Sequence, residues 1–146
     1  MKLRAVWIGG NFMIFVIGGE NQGKLEYVLN LKNLDNNDVA DCSYCSKEDI
    51  ADKKIIYNFN LFIKRMLKEY EDSEIVKEKV KEILDSNEEA VIISNEIGYG
   101  VVPIDSFDRQ YRELTGRVSC DIAKKAEQVH RVICGIGTVI KGDRCD

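Results

Sequence analysis

A short apolar run that leads into a glycine-rich loop constrains the fold of this chain more than any other segment. Met13–Ile17 reads Met-Ile-Phe-Val-Ile, and two glycines follow it directly. Continuous β-branched and aromatic residues are typical of a strand that is buried on both faces. After Lys24, the apolar residues Leu25, Val28 and Leu29 recur at helical spacing. The order of strand, glycine loop and helix predicts the opening of a βαβ unit.

Further strands and helices are predicted from the spacing of apolar residues along the rest of the chain. The predicted strands are Val39–Tyr44, Ile55–Phe59, Ala90–Ser94, Val129–Cys134 and Gly137–Lys141, with a Gly-Ile-Gly turn between the last two. Helices are predicted over Leu61–Leu84, with a break at Lys68–Ser73, and from Ser106 onward, with an interruption at Gly116. Strands separated by helices favour an α/β fold, with a mostly parallel sheet, helices on both faces and the C-terminal strands at one edge.

Length and composition indicate one ordinary domain. The 146 residues include 21 Lys and Arg against 25 Asp and Glu, which gives a net charge of −4, and 45% of the residues are apolar. Every apolar run is shorter than the roughly 18–20 residues that cross a bilayer, so we expect no membrane span. The acidic balance, without a basic stretch, argues against nucleic-acid binding.

The first twelve residues have two interpretations. Gly9-Gly10 is separated from Met13 by two residues. A ribosome-binding site that is translated in frame gives two glycines at about this distance before the start methionine. Met13 is then the native start, residues 1–12 are an upstream extension, and the domain comprises residues 13–146. The alternative is a genuine N-terminal strand over Leu3–Ile8, added to an edge of the sheet.

The five cysteines indicate a cytoplasmic protein with reduced thiols, because no secretory leader is recognisable and their number is odd. They are Cys42, Cys45, Cys120, Cys134 and Cys145. Cys42 and Cys45 form a Cys-x-x-Cys pair, which is half a zinc site, a redox pair or an incidental arrangement. A zinc site needs two more ligands, whereas a redox pair of the thioredoxin kind is expected between a strand and a helix.

The glycine loop fits the phosphate-binding pattern Gly-x-x-x-x-Gly-Lys. Its residues are Gly18, Gly19, Glu20, Asn21, Gln22, Gly23, Lys24 and Leu25. In such a loop the backbone N–H groups hold phosphates, the lysine reaches the outer phosphates, and a hydroxyl after the lysine binds Mg²⁺. Leu25 replaces that hydroxyl, and Glu20 adds a negative charge that weakens affinity. We predict nucleotide binding here; the alternative is a glycine turn without a ligand.

A second glycine-containing loop follows the predicted strand Ala90–Ser94, where open α/β sheets place their ligand crevice. Its candidate substrate-binding residues are Asn95, Glu96, Gly98, Gly100 and Pro103, together with Arg109 and Arg112 in the next helix. Glu96 is the candidate carboxylate that would interact with a metal-bound water or with a substrate hydroxyl. The alternative for Glu96 is a helix cap or a salt bridge to Arg109 or Arg112. His130, the only histidine, is interpreted as a structural or edge residue rather than a general base.

These segments resemble the bifunctional adenosylcobinamide kinase / adenosylcobinamide-phosphate guanylyltransferase family of cobalamin synthesis. Members carry Asn-Glu-Val-Gly-x-Gly-Val/Ile-Val-Pro, which Asn95–Pro103 matches, and Arg-x-(Phe/Tyr)-Arg-(Asp/Glu), which Arg109–Glu113 matches. Similarity continues at Ala123–Ala126 and Val129–Gly135, and the family's phosphate loop corresponds to Gly18–Leu25. The resemblance implies a P-loop NTPase-like three-layer fold, homo-oligomers such as trimers, and phosphorylation of the adenosylcobinamide aminopropanol hydroxyl by ATP or GTP. It further implies a second step, the transfer of GMP from GTP through a guanylylated histidine.

Several positions depart from the family pattern. Leu25 stands in place of the serine that binds Mg²⁺, and Tyr57 and Asn58 lie where the middle strand usually ends in an acidic residue. The guanylylated histidine of the family precedes the middle strands, whereas the single histidine here is His130. A family Asn-Gln pair is replaced by Ser119-Cys120. We therefore expect no guanylyl transfer and weakened Mg²⁺ binding.

Three functions follow from this combination. The first is a kinase of reduced activity, with Lys24 and Glu96 as its catalytic residues. The second is a non-catalytic protein that binds a nucleotide or a corrinoid, such as a regulatory partner of a complete enzyme. The third is a relic without a ligand. The resemblance favours the kinase, while the altered positions favour weak or absent chemistry.

Overall fold

A computed structural model describes residues 12–97 and 105–142 of the chain. Strands and helices alternate along most of this length, so the predicted βαβ organisation is present. The strands are β1 (Ile14–Gly18), β2 (Val39–Asp41), β3 (Ile55–Tyr57), β4 (Val91–Asn95), β5 (Gln128–Ile133) and β6 (Ile136–Lys141). The helices are α1 (Lys24–Lys32), α2 (Lys47–Asp52), α3 (Phe59–Tyr70), α4 (Ser73–Asp85) and α5 (Ser106–Lys125). The predicted strand Leu3–Ile8 and the loop residues Gly98, Gly100 and Pro103 lie outside the described residues.

The strands form one sheet in the order β2-β3-β4-β1-β5-β6. Neighbouring strands from β2 to β5 pair in parallel, and β6 pairs antiparallel with β5 at the edge of the sheet. The predicted mostly parallel sheet with C-terminal strands at one edge is therefore confirmed. The turn between β5 and β6 is Cys134-Gly135 rather than Gly-Ile-Gly. Both turn residues have positive φ, 52° and 77°, which suits the right-handed twist of a tight hairpin.

Helices cover both faces of the sheet, because successive strand residues point to opposite sides. On one face α1 packs through Val28 against Ile14, Val16 and Ile93. On the other face the remaining helices pack against the sheet in a larger apolar cluster. That cluster includes Phe15, Ile50, Ile56, Phe62, Leu67, Val80, Ile92, Leu114, Val118 and Ile122. The result is the expected three-layer α/β fold of the P-loop NTPase type.

Two predicted strands are shorter than expected, because each ends in a local turn. β2 stops at Asp41, whose carbonyl accepts hydrogen bonds from the N–H groups of Tyr44 and Cys45, at 3.2 and 2.9 Å. β3 stops at Tyr57, because Asn58 has a left-handed backbone, with φ of 58°, and α3 begins at the next residue. Phe59 is therefore a helical residue and not the end of a strand.

The helical prediction was right about one break and wrong about another. Glu71, with φ of 56°, ends α3, and the Asp72 side chain then caps α4, so the break at Lys68–Ser73 is confirmed. By contrast α5 continues through Gly116 without interruption. The short helix α2 was not predicted; Ser46 and Asp49 form the capping box that starts it.

The described residues include no helix with the length and apolar composition needed to span a membrane.

Candidate active site

The candidate site lies where β1 and β4 end side by side. The chain leaves β1 toward α1 on one face of the sheet and leaves β4 toward α5 on the other face. Gly18 and Asn95 are register partners at these ends, and the Glu96 N–H donates to the Gly18 carbonyl at 2.8 Å. Such a divergence opens a crevice at the carboxyl edge of a parallel sheet. The two loops that the sequence singled out therefore meet at one place.

The glycine loop connects β1 to α1 as the pattern predicts. Gly23, with φ of 86°, takes a left-handed backbone directly before α1, a conformation that glycine adopts without steric cost. Gly18 is also required, because a Cβ atom there would lie 2.5 Å from the Val132 carbonyl oxygen of β5. Glu20 and Asn21 are exposed at the tip of the loop, and Gly19 and Gln22 are half-buried.

Lys24 is the first residue of α1, and its side chain turns back into the loop. It is 4% exposed, and its Nζ donates to the Gly19 carbonyl oxygen at 2.6 Å. Burial lowers the pKa of Lys24, while the negative charges of Glu20 and Glu96 oppose that effect. The ammonium group therefore lies within the loop that leads into α1, where phosphate binding would require it.

Leu25 packs against the apolar cluster between α1 and the sheet, beside Ile14, Val16 and Val28. Its side chain is half-buried and has no atom that can bind a metal ion. The residues present therefore do not fit the direct Mg²⁺ ligation that the family pattern implies for this position.

Gln22 attaches the loop to the β5–β6 turn, a contact that sequence reasoning missed. Its Oε1 accepts the Cys134 N–H at 2.8 Å, and its carbonyl oxygen accepts the Gly135 N–H at 2.7 Å. The two turn residues are more than 110 positions away in sequence, so no local pattern could indicate the contact. This pair of hydrogen bonds fixes the loop relative to the edge of the sheet.

Glu96 forms an ion pair with Arg131 of β5, which corrects the predicted alternative of Arg109 or Arg112. Arg131 Nε donates to Glu96 Oε1 at 2.8 Å, and Nη2 donates to Oε2 at 3.1 Å. The Glu96 side chain is 12% exposed, so it remains at the surface of the crevice. Arg109 and Arg112 lie in the first two turns of α5.

Asn60, a second residue that sequence reasoning missed, connects β4 with α5. Its side chain is buried; Oδ1 accepts the Asn95 N–H at 3.1 Å, and Nδ2 donates to the Tyr111 hydroxyl at 3.3 Å. The residue thereby holds the end of β4, and with it Glu96, in position relative to the helix that borders the crevice.

The end of β3, where the family pattern expects an acidic residue, carries Tyr57 and Asn58. Tyr57 packs against the apolar cluster on the α1 face. Asn58 Nδ2 donates to Asp41 Oδ1 at 3.4 Å, so the carboxylate at this end of the sheet comes from β2.

His130 is buried within β5, between β1 and β6, and not at the sheet edge. The Tyr27 hydroxyl lies 2.7 Å from Nδ1, and the Gln128 Oε1 atom lies 3.0 Å from Nε2. Burial lowers the pKa of His130 to about 4, so the ring is neutral near pH 7. These features are those of a structural histidine.

Cys42 and Cys45 lie between β2 and α2, the order expected of a redox pair. Both are buried, with their sulfur atoms 3.9 Å apart, and Arg65 Nη1 donates to the carbonyl oxygens of Cys42 and Cys45 at 3.0 and 2.9 Å. The hydrogen bond to Cys45, together with burial, raises the pKa of the Cys42 thiol. Within residues 12–97 and 105–142, no group of three or more potential ligands is placed to bind a metal ion.

Comparison with known proteins agrees with the resemblance for the part of the chain that follows the glycine loop. The family model described as "Cobinamide kinase / cobinamide phosphate guanyltransferase" matches residues 36–140, well over half of the chain. Two proteins named "Bifunctional adenosylcobalamin biosynthesis protein CobU", from Salmonella typhimurium and Escherichia coli, are each 41% identical to it over 51 residues. These residues make up 35% of this chain and 28% of each relative, so the match spans less than a third of their length. The chain belongs to the cobinamide kinase / cobinamide phosphate guanyltransferase family.

Proposed function

We propose that this chain binds ATP or GTP on the Gly18–Leu25 loop and phosphorylates the hydroxyl of adenosylcobinamide, slowly and without guanylyl transfer. The observation that carries the proposal is the position of Lys24. Its buried ammonium group points into the glycine loop, next to the strand end that carries Glu96. Membership of the family supports the choice of substrate.

Phosphate binding on this loop would use the Lys24 ammonium and the N-terminal N–H groups of α1. The Lys24 ammonium donates to the Gly19 carbonyl, a contact that a phosphate oxygen can replace. The N-terminal N–H groups of α1 have no partner within the helix, and the helix dipole adds a partial positive charge there. A nucleotide phosphate would satisfy both.

In the proposed reaction, the substrate hydroxyl oxygen attacks the γ-phosphorus, a new P–O bond forms, and the nucleoside diphosphate leaves with the electrons of the broken P–O bond. Glu96 is proposed to accept the hydroxyl proton. Its two oxygens bind Arg131, yet each carboxylate oxygen retains a further lone pair for the hydroxyl. Arg131 thus holds the carboxylate in a fixed orientation.

Two features limit this chemistry. Leu25 gives no ligand for Mg²⁺, and phosphoryl transfer depends almost entirely on positioning and charge neutralisation, so the rate is expected to be low. Guanylyl transfer by the family route requires a reactive histidine. His130, the only one in the chain, is buried beside Tyr27 and Gln128 and cannot serve.

A second candidate is a non-catalytic protein that binds the nucleotide or the corrinoid. The packing of the half-buried Leu25 side chain against the apolar cluster favours it, because this side chain is engaged in apolar contacts rather than in metal binding. The Glu96–Arg131 pair favours it as well, since both groups already have strong partners.

We also propose that the chain forms homo-oligomers and is located in the cytoplasm. The family resemblance suggests a trimer. Ile133, Ile136 and Ile140 are 52%, 70% and 55% exposed on β5 and on the edge strand β6. Apolar side chains along an edge strand are suited to contact with another copy. Light scattering after gel filtration tests this: Ile136→Lys should lower the mass, and a wild-type monomer would contradict it.

Calorimetry with ATP and GTP, with and without Mg²⁺, separates the two functions. Nucleotide binding combined with transfer of labelled γ-phosphate to adenosylcobinamide supports the kinase. Binding without transfer supports the non-catalytic protein, and no binding overturns both. Lys24→Ala should weaken nucleotide binding at least tenfold, whereas Lys124→Ala, at the exposed far end of α5, should not.

The role assigned to Leu25 has its own test. Leu25→Ser should increase the Mg²⁺ dependence of binding and the rate of transfer. If neither increases in a folded variant, the missing hydroxyl is not what limits the chemistry.

A further inference from the structure

A cavity of about 180 Å³ opens beside Glu96, between the ends of β1 and β4 and the middle of α5. Ile17, Asn95 and Glu96 line it from the sheet, and Thr115, Gly116 and Ser119 line it from the helix. We call it the α5 pocket. It lies on the face of the sheet opposite α1, so the glycine loop and the α5 pocket flank the strand ends from two sides.

No contact among the described residues requires a glycine at position 116. Gly116 lies in the interior of a 20-residue helix, where glycine is less favourable than alanine. Gly116 is exposed, and a Cβ atom at this position would meet no atom of the described residues within 4 Å outside the backbone of its own helix. The absence of a side chain at Gly116 leaves space on the wall of the α5 pocket.

One residue that lines the α5 pocket, Thr115, carries a buried hydroxyl without a hydrogen-bond partner among the described residues. Thr115 is 1% exposed, and its Oγ1 makes no hydrogen bond with the described residues. Burial raises the pKa of Tyr111, one turn earlier, and the nearby side chains of Asn60 and Thr115 oppose that effect. The Ser94 hydroxyl, equally buried, is also without a partner among the described residues, and Ser94 is the register partner of Ile17.

Buried hydroxyls without partners destabilise a protein until a ligand supplies the missing hydrogen bonds. The α5 pocket offers one such hydroxyl, on Thr115, together with an apolar wall at Ile17 and the carboxylate of Glu96. This combination fits a short aliphatic chain that carries a hydroxyl group. Its volume is below the 300–1,000 Å³ or so of sites that enclose a drug-sized molecule, so a corrin ring would remain outside.

We propose that the α5 pocket binds the hydroxyl-bearing arm of the phosphoryl acceptor and presents its hydroxyl to Glu96. The proposal rests on the proposed function, because it assigns a place to the acceptor of that reaction. Gly116 provides the room for the arm, and Thr115 binds its polar end. The lining of the α5 pocket among the described residues includes no residue of the glycine loop, so the nucleotide and the acceptor would bind through separate groups.

Filling the α5 pocket tests the proposal. Gly116→Leu places a side chain in the open space, and Gly116→Ala fills less of it. Arg117→Leu, on the exposed neighbouring position, adds the same side chain outside the pocket. Calorimetry with cobinamide and, separately, with ATP is expected to show cobinamide affinity lowered at least tenfold in Gly116→Leu, less in Gly116→Ala and less than twofold in Arg117→Leu. ATP affinity should stay within twofold of the wild type in all three.

The outcomes distinguish the two proposals. If Gly116→Leu binds ATP and cobinamide as the wild type does, the α5 pocket is not the acceptor site, while the proposed function stands. If the wild type binds ATP but no cobinamide, both the choice of acceptor and the α5 pocket assignment are wrong. Urea unfolding shows whether each variant is folded, and Gly116→Ala, which favours the helix, remains informative if Gly116→Leu is not.

Thr115→Val tests the hydroxyl separately, because it keeps the shape of the side chain. The variant should unfold at a higher urea concentration than the wild type, since a buried group without a partner is removed. It should also bind cobinamide at least threefold more weakly. A variant that is more stable yet binds cobinamide unchanged would overturn the role of Thr115.

Discussion

Glu96 and Arg131 form a two-point ion pair across the end of β1. Glu96 follows β4 and Arg131 lies in β5, the strands on either side of β1, and both guanidinium-to-carboxylate distances are hydrogen bonds of 2.8 and 3.1 Å. The pair therefore ties together the two strands that flank the one leading into the glycine loop.

This pair should contribute measurably to stability. In a double-mutant cycle with Glu96→Gln and Arg131→Gln, we expect a coupling energy of about 1 kcal/mol, above that of most exposed pairs, because the contact is bidentate and Glu96 is largely buried. Urea unfolding at low salt measures it, and 1 M NaCl should reduce it. A coupling energy near zero would mean that the pair has only a positioning role.

Gly23 and Gly116 should respond oppositely to the same substitution. Gly23→Ala forces a side chain into a left-handed backbone, with its Cβ 3.2 Å from the Gly135 Cα, and should cost about 1–2 kcal/mol and weaken ATP binding. Gly116→Ala, in open space within α5, should raise the free energy of unfolding by up to about 1 kcal/mol. Urea unfolding compares the two. Equal destabilisation would show that Gly116 has a constraint that the fold does not reveal.

His130 should make the protein less stable as the pH falls. Its pKa is about 4 in the folded chain against an ordinary 6.5, so between these values the unfolded chain binds more protons than the folded one. Stability contributed by the neutral ring is therefore present above about pH 6.5 and lost progressively down to about pH 4. The loss should be of the order of 2–3 kcal/mol.

Urea unfolding between pH 7.5 and pH 4.5 measures this dependence, and His130→Gln is the matched variant. It keeps a polar side chain near Tyr27 but cannot be protonated, so its stability should fall less over the same range. Parallel curves for the two proteins would show that carboxyl groups, and not His130, dominate acid unfolding.

The cysteines should divide into two reactivity classes. Cys42 and Cys45 are buried, whereas Cys120 and Cys134 are exposed. In a Cys145→Ser background, a chromogenic disulfide reagent such as DTNB should modify two thiols at least tenfold faster than the other two, because the buried pair requires local opening. Cys42→Ser should remove signal from the slow phase alone. Four thiols of equal rate would contradict the burial of the pair.

Much of the fold was accessible from local patterns. The run Met13–Ile17 predicted β1, the glycines and Lys24 predicted the loop and α1, and the break at Lys68–Ser73 was placed correctly. The errors are at two positions where the backbone conformation differs from the one that the residue types indicated. Asn58 takes a left-handed conformation that ends β3 early, and Gly116 stays helical because the rest of α5 packs on the core.

The site was predicted only in part, because its members come from distant parts of the sequence. The sequence by itself determined which loop carries Lys24, which strand end carries Glu96, and that Leu25 cannot bind a metal ion. The tertiary structure decided that Arg131 is the partner of Glu96, that Gln22 fastens the loop to the β5–β6 turn, and that Thr115 and Gly116 border a cavity. The physical reason is that a parallel sheet brings together strand ends that are separated in sequence by whole crossover connections. The spacing of residues within one segment does not indicate which strand ends become neighbours.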